Sequence, residues 1–301
     1  METTMSSVEY REIRLRDGRR LAYEEYGSPS GQPIISCHGS PSSRVESHLF
    51  VRTTAVSQLG VRLIVPDRPG MGASDFQRGR RIVDWPNDVL ELATALGIDT
   101  FAVLGGSGGA PYAAACGALI PDRVRAIGLV GGIAPLDAPG VLASMSRPLR
   151  IMCHLARFAP LLLRGLFRLN LRAVGRGGQH GNDRMIASFP EPDRSLMRRP
   201  EVHQGFLGCF QEACRQGTRG PVWDLSLMAQ PWGFDLSAIT VPVLLWHGER
   251  DGNVPPAHGR YLAAAIPHCQ ATFHPDEAHL SLSLNHYSEI LGALVARAKA
   301  A

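Results

Sequence analysis

The residues with the clearest chemical potential are Gly105-Gly106-Ser107-Gly108-Gly109, which fit the pattern G-x-S-x-G. They stand directly after the apolar run FAVL and directly before APYAAACGAL, a strand-like and a helix-like segment. A serine lifted on a tight strand-to-helix turn sits in strained backbone, and only small neighbours fit beside it. The helix N-terminus also offers free N–H groups to a developing negative charge. A Gly-rich turn at this place also suits a phosphate. However, the G-x-x-x-x-G-K-[ST] pattern is absent, and the glycines of a dinucleotide site would stand near the first strand.

A serine nucleophile needs a base, and the base needs an orienting carboxylate. The last third of the chain supplies both in the order serine, acid, histidine. Asp251 lies in HGERDGNVP after the run VPVLLWHG, and His279 lies in HPDEAHLSL after CQATFH. Glu249 competes for the acid role but stands nearer its strand end. Asp276 and Glu277 read as solvated loop charges, and His274 as a structural residue. His154, His180 and His203 have no companion motif and read as surface or packing residues. A third group, His38-Gly39-Ser40-Pro41, follows the run PIISC. Acyl transfer needs two donors aimed at the tetrahedral oxygen. The backbone N–H groups of Gly108 and Ser40 are the candidates, with His38 bracing the loop. A plain turn explains the local sequence of 38–41 equally well, and only the company of Ser107 favours the catalytic reading.

These residues need elements to position them. EYREIRL and RRLAYEEYG, joined by Asp17-Gly18, read as a hairpin within 9–27. PIISC (33–37), VRLIVPD (61–67), FAVLGG (101–106) and RAIGLVGG (125–132) read as buried strands. Helical patterns fit 85–96 and 109–119. Such alternation implies a parallel sheet covered on both faces, with ligands at the carboxyl ends of the strands. From about Ala134 to Pro231 the rhythm breaks into helical and irregular sequence. It resumes with strands at 241–248 and 269–274 and helices at about 258–265 and 281–298. The expected division is a core of 1–134 and 232–301 interrupted by a helical insertion, 135–231.

Composition bounds the rest. The chain has 301 residues, 45% apolar and 19% charged, enough for a full core and unlike a disordered or low-complexity chain. Thirty-one basic and 27 acidic residues give a net charge of +4, too mild to indicate nucleic acid. Lys299 is the only lysine, which reads as coding bias. Residues 1–20 show no secretory signal, and no long uncharged apolar run predicts a membrane span. The six cysteines lack metal-like spacing and read as reduced core residues. A cytoplasmic protein is expected, with no nucleic-acid partner and no stable membrane anchoring, as a monomer or homodimer. Between Arg147 and Arg199 the insertion carries eleven arginines, read as solvated rather than anion-selecting. Leu155–Leu169 suggests an amphipathic helix, facing a membrane or a second copy, or simply packed on the core, which is the favoured reading.

HGSP (38–41), DRPGMGASD (67–75), GGSGGAPYA (105–113), WHGERDGNVP (246–255) and AHLSL (278–282) together resemble the ordered motifs of the α/β-hydrolase fold superfamily. The resemblance covers the chain outside 135–230. It implies a mostly parallel eight-stranded sheet with helices on both faces and a helical cap between strands six and seven. It also implies a triad of Ser107, Asp251 and His279, with Ser40 and Gly108 as oxyanion donors and no metal or cofactor. DRPGMGASD is expected to shape a nearby loop through Gly70 and Gly72. Family members usually carry glycine before the catalytic histidine, where this chain has Ala278. Ser107 argues against dehalogenases and epoxide hydrolases of this fold, which use aspartate. The missing HGGPG and GGSWG argue against a proline iminopeptidase. The implied function is a serine hydrolase cleaving an ester-type bond of a small, largely apolar molecule. The alternatives are a lyase or natural-product tailoring enzyme using the same triad, or a weakly catalytic binding protein.

Overall fold

The computed structural model describes residues 10–50, 55–174 and 185–301. His180, Asp183 and the N-terminal residues 1–9 lie outside the described residues. Eight strands form one sheet: β1 (Arg11–Arg14), β2 (Arg20–Gly27), β3 (Gln32–Cys37), β4 (Val61–Pro66), β5 (Phe101–Gly106), β6 (Val124–Val130), β7 (Val243–Gly248) and β8 (Cys269–His274). Their order is β1-β2-β4-β3-β5-β6-β7-β8. The pairs β1/β2 and β2/β4 are antiparallel and all others parallel. Gly18 takes a positive φ of 87° in the hairpin turn, as the Asp-Gly signal predicts.

Nine helices of seven residues or more are described. They are α1 (Trp85–Ala95), α2 (Ala110–Leu119), α3 (Arg147–Phe158), α4 (Pro160–Val174), α5 (Glu191–Met197), α6 (Pro200–Ala213), α7 (Arg219–Met228), α8 (Pro256–Ala265) and α9 (His279–Ala300). Strand residues alternate between two cores. Ile35, Ile64, Val103 and Leu245 face the core of α1, α2 and α8, while Ile34, Leu63, Ala102 and Trp246 face that of α9. Both faces of the sheet are therefore covered over its central strands, β3 to β7, which read as mainly apolar runs. Each fully buried aliphatic side chain here contributes roughly 1.5–3 kcal/mol relative to exposure. Pro86 and Pro111 stand in the first turns of α1 and α2, where a missing N–H removes no helical bond.

The stretch between β6 and β7 is helical among the described residues. α7 packs on α3 and α4, and α6 on the short turn Arg44–Glu46. Ser226 of α7 donates to the Ala156 carbonyl of α3 at 2.6 Å. One face of the α3–α4 pair meets the expectation of packing on the core through Ala156, Leu163 and Phe167. The other face departs from it. Ile151, Phe158, Leu161, Leu162, Leu166 and Leu169 are exposed. Helix α4, PLLLRGLFRLNLRAV, carries large apolar residues on more of its circumference than one buried side can absorb. All six cysteines are free. Among the described residues no helix is long and apolar enough to cross a membrane.

Candidate active site

β5 ends at Gly106, and α2 begins at Ala110, leaving Ser107 on a one-turn link. Ser107 takes a positive φ of 52°, a conformation that L residues rarely adopt and that costs about 1–3 kcal/mol. The turn closes because Gly108 and Gly109 lack side chains. A Cβ on Gly109 would stand 1.9 Å from the Cys37 carbonyl oxygen. His279 Nε2 lies 3.0 Å from Ser107 Oγ, and His279 Nδ1 lies 2.6 Å from Asp251 Oδ2. The other oxygen of Asp251 accepts the N–H groups of Asn253 and Val254 at 2.9 and 2.8 Å. The carboxylate is thus fixed in the loop after β7 with one oxygen left for the imidazole. Burial opposes the charge on His279, but the Asp251 carboxylate outweighs it and holds the imidazole above its ordinary pKa of 6.5.

The remaining sequence candidates divide. Gly108 and Ser40 adjoin: a Cβ on Gly108 would lie 3.1 Å from the Ser40 nitrogen. Glu249 is elsewhere, paired with Arg260 at 2.7 Å on the surface. Asp276 is 81% exposed beside Arg250. Glu277 corrects the reading of a solvated loop charge. It is half-buried and accepts from Asn285 Nδ2 at 3.1 Å and from His286 Nε2 at 3.2 Å, because α9 turns back over it. His274 packs at a tilt against His286, ring centroids 4.1 Å apart and planes at 51°. His274, His286 and Glu289 cluster closely enough to suggest metal ligands, but both ring nitrogens of His286 already bond to carboxylates. His154 is exposed and His203 half-buried.

His38 is locked as a neutral ring. Its Nδ1–H donates to the Gly39 carbonyl at 2.8 Å, and its Nε2 accepts the Arg68 N–H at 3.1 Å. Burial, reinforced by the Arg68 charge, keeps its pKa well below the usual value. Arg68 belongs to DRPGMGASD and also donates to the Gly39 carbonyl through Nη2 at 2.8 Å. It pairs in turn with Asp224 of α7 at 2.9 Å. Arg80 and Tyr112 complete this fully buried cluster, at 2.7 and 2.6 Å from Asp224 Oδ1. In the same motif Asp67 binds Arg44, and burial raises its pKa to about 6. Gly72 leaves room for it, since a Cβ there would meet the Asp67 carboxylate at 2.1 Å.

A cavity of about 620 Å³ opens over Ser107 and His279. Its wall is mainly apolar, with Leu49, Leu136, Met152, Phe206, Leu225 and Met228 among the contributors. Among the described residues of the 135–231 stretch, no arginine lines it. Glu46 is the one carboxylate among the described residues that line it. That residue accepts the Gly39 N–H at 2.9 Å, and burial raises its pKa. Glu46, Asp193 and Asp224 escape sequence reasoning. Each lies in an ordinary polar context, and only tertiary contact brings it to the site.

Residues 32–150 match the family model described as alpha/beta hydrolase fold. A relative from Bacillus subtilis (strain 168), named an uncharacterized hydrolase, is 26% identical over 81% of this chain and 83% of its own. A non-heme haloperoxidase from Rhodococcus erythropolis is 27% identical over 91% of this chain and 94% of its own. A solved thermophilic esterase from Thermogutta terrifontis superposes with a TM-score of 0.68 at 23% identity, covering 96% of this chain and 99% of that one. The eight-stranded sheet, the family match over 32–150 and these likenesses agree on the fold: the chain has the α/β-hydrolase fold.

Proposed function

We propose that the chain is a serine hydrolase that cleaves an ester-type bond of a small, largely apolar molecule. The carrying observation is the hydrogen-bonded series Asp251–His279–Ser107 at the floor of an apolar cavity. In this reading His279 takes the Ser107 proton as Oγ attacks the carbonyl carbon. The N–H groups of Ser40 and Gly108 hold the oxyanion. Collapse of the tetrahedral intermediate expels the alcohol, which takes the proton from His279. Water then attacks the acyl-enzyme with the same base, releasing the acid and restoring Ser107. Asp251 keeps the imidazole in its working tautomer and stabilises its charged form. Residues 135–231 act as a cap that roofs the cavity and selects the substrate by shape.

Labelling with a fluorophosphonate probe, mapped by mass spectrometry, tests this without the natural substrate. Modification of Ser107, lost in His279→Ala, is the expected result. A panel of p-nitrophenyl esters and thioesters then ranks the bond type. A folded protein that leaves Ser107 unlabelled and turns over none of the panel refutes the proposal.

A further inference from the structure

Helix α9 begins at His279 itself, so the first N–H groups of this helix belong to the base and its two successors. Such groups have no partner within the helix and are ordinarily met by a serine, threonine or aspartate at the preceding position. Here that position is Ala278, whose side chain offers nothing. The acceptor comes from another part of the chain. Asp193 of α5, fully buried, accepts the N–H groups of His279, Leu280 and Ser281 at 3.1, 3.0 and 2.9 Å. Around this contact Phe189, Leu196, Met197 and Val202 pack with Leu280 and Leu284 of α9. The helix that carries the base is therefore tied, by both polar and apolar contacts, to the stretch between β6 and β7.

We propose that Asp193 is a positioning residue that holds His279 against Ser107, so that docking of the 135–231 stretch completes the base. The inference rests on the serine-hydrolase reading of Ser107 and His279. Two consequences separate this role from mere structural support. First, a carboxylate at the helix N-terminus fixes the backbone of the residue whose ring spans 2.6 Å to Asp251 and 3.0 Å to Ser107. A small displacement there breaks both bonds at once. Second, the charge acts on the imidazole. Among the described residues, the charged and titratable groups around His279 are Asp251 after β7, Asp193 on α5, Glu46 in the cavity wall and His247 on β7. Removing the Asp193 charge disfavours the imidazolium.

The test uses the full-length chain with Asp193→Asn and Asp193→Ala. Second-order labelling of Ser107 by the fluorophosphonate probe at neutral pH falls on the order of 10²-fold in Asp193→Ala, the scale of a roughly 1 Å misplacement. With an ester substrate kcat falls while KM changes by less than about twofold, because the Asp193 side chain is not part of the cavity wall. In Asp193→Asn, which keeps the shape and loses the charge, the acid limb of kcat/KM moves to lower pH. Amide hydrogen exchange across 278–283 accelerates in both variants. Unchanged kcat and an unmoved acid limb, whatever the exchange, overturn the proposal. Asp193→Asn carries the test if Asp193→Ala does not fold. If the unaltered chain fails to label at Ser107, the serine-hydrolase reading falls. Unaltered exchange across 278–283 then overturns the anchoring separately.

Discussion

Replacing Asp224 by asparagine removes one negative charge from between two buried guanidiniums. Asp224 is wholly buried, and the side chains of Arg68 and Arg80 are 0% and 2% exposed. Oδ2 accepts from Arg68 Nη2 at 2.9 Å, and Oδ1 accepts from Arg80 Nη2 at 2.7 Å and Tyr112 Oη at 2.6 Å. In asparagine one of those oxygens becomes an NH2 that faces donors. Removing one member of a buried pair destabilises by about 3–5 kcal/mol, because the remaining charges stay buried without compensation. At about 2.1 cal/mol/K of unfolding entropy per residue, 301 residues lose roughly 1.6 °C per kcal/mol, so Tm falls by about 5–8 °C. Calorimetry of both proteins at pH 7 measures this directly. Acidification gives a second reading. Burial opposes ionisation of Asp224, but the two arginines outweigh it and hold its pKa below the ordinary 3.8. A depressed carboxylate pKa contributes stability above the unfolded value and loses it as pH falls towards the folded one. The Tm deficit of the variant is therefore flat from pH 6 to 8 and narrows only below pH 4. A variant that melts within about 1 °C of the parent at pH 7 refutes the reasoning.

Ester hydrolysis has its own pH signature. The imidazole of His279 must be neutral to accept a proton, and its pKa is raised, so kcat/KM falls with acidification around a midpoint above 6.5, measured from a pH–rate profile. Gly109→Ala and Gly106→Ala form a contrasting pair in thermal melts. The first forces a Cβ to 1.9 Å from the Cys37 oxygen and lowers Tm by several degrees or prevents folding. The second meets nothing nearer than 3.9 Å and shifts Tm by less than about 1 °C, within the usual range for a tolerated substitution. Met152→Trp narrows the cavity and lowers kcat/KM for octanoyl relative to acetyl esters by about tenfold or more, read from a p-nitrophenyl ester series.

Local sequence disclosed the sheet because its signals are local. The central strands β3 to β7 are short, mainly apolar runs, and helical periodicity marks several of the gaps between strands. The strand at 101–106 and the turn at Ser107 were legible for the same reason, since backbone strain and close approach demand glycine at fixed offsets. Asp251 and His279 were legible because each follows a strand that ends on the same edge. Glu46, Asp193 and Asp224 were not, because their significance lies in partners 7, 86 and 156 positions away. Nothing in EPDRSLM marks its aspartate as the cap of a helix that begins at 279. Likewise the periodicity of 155–169 showed apolar faces but not which of them would lie outward.

The two long-range carboxylates also bear on how such a chain can be recombined. Asp193 and Asp224 sit in the stretch between β6 and β7, yet they serve α9 and the loop that follows β4. That stretch is therefore not a free-standing module with peptide joints alone. A graft that replaced it with helices from another protein would orphan three N–H groups at the start of α9. It would also strand Arg68 and Arg80 without a counter-ion. Successful exchange requires transferring the acceptor with its donor: either both aspartates return at equivalent points, or Ala278 becomes a serine and the arginines become apolar. The stretch between β6 and β7 and the rest of the chain are thus joined at two polar contacts, one to backbone N–H groups and one to arginines, that neither part contains alone.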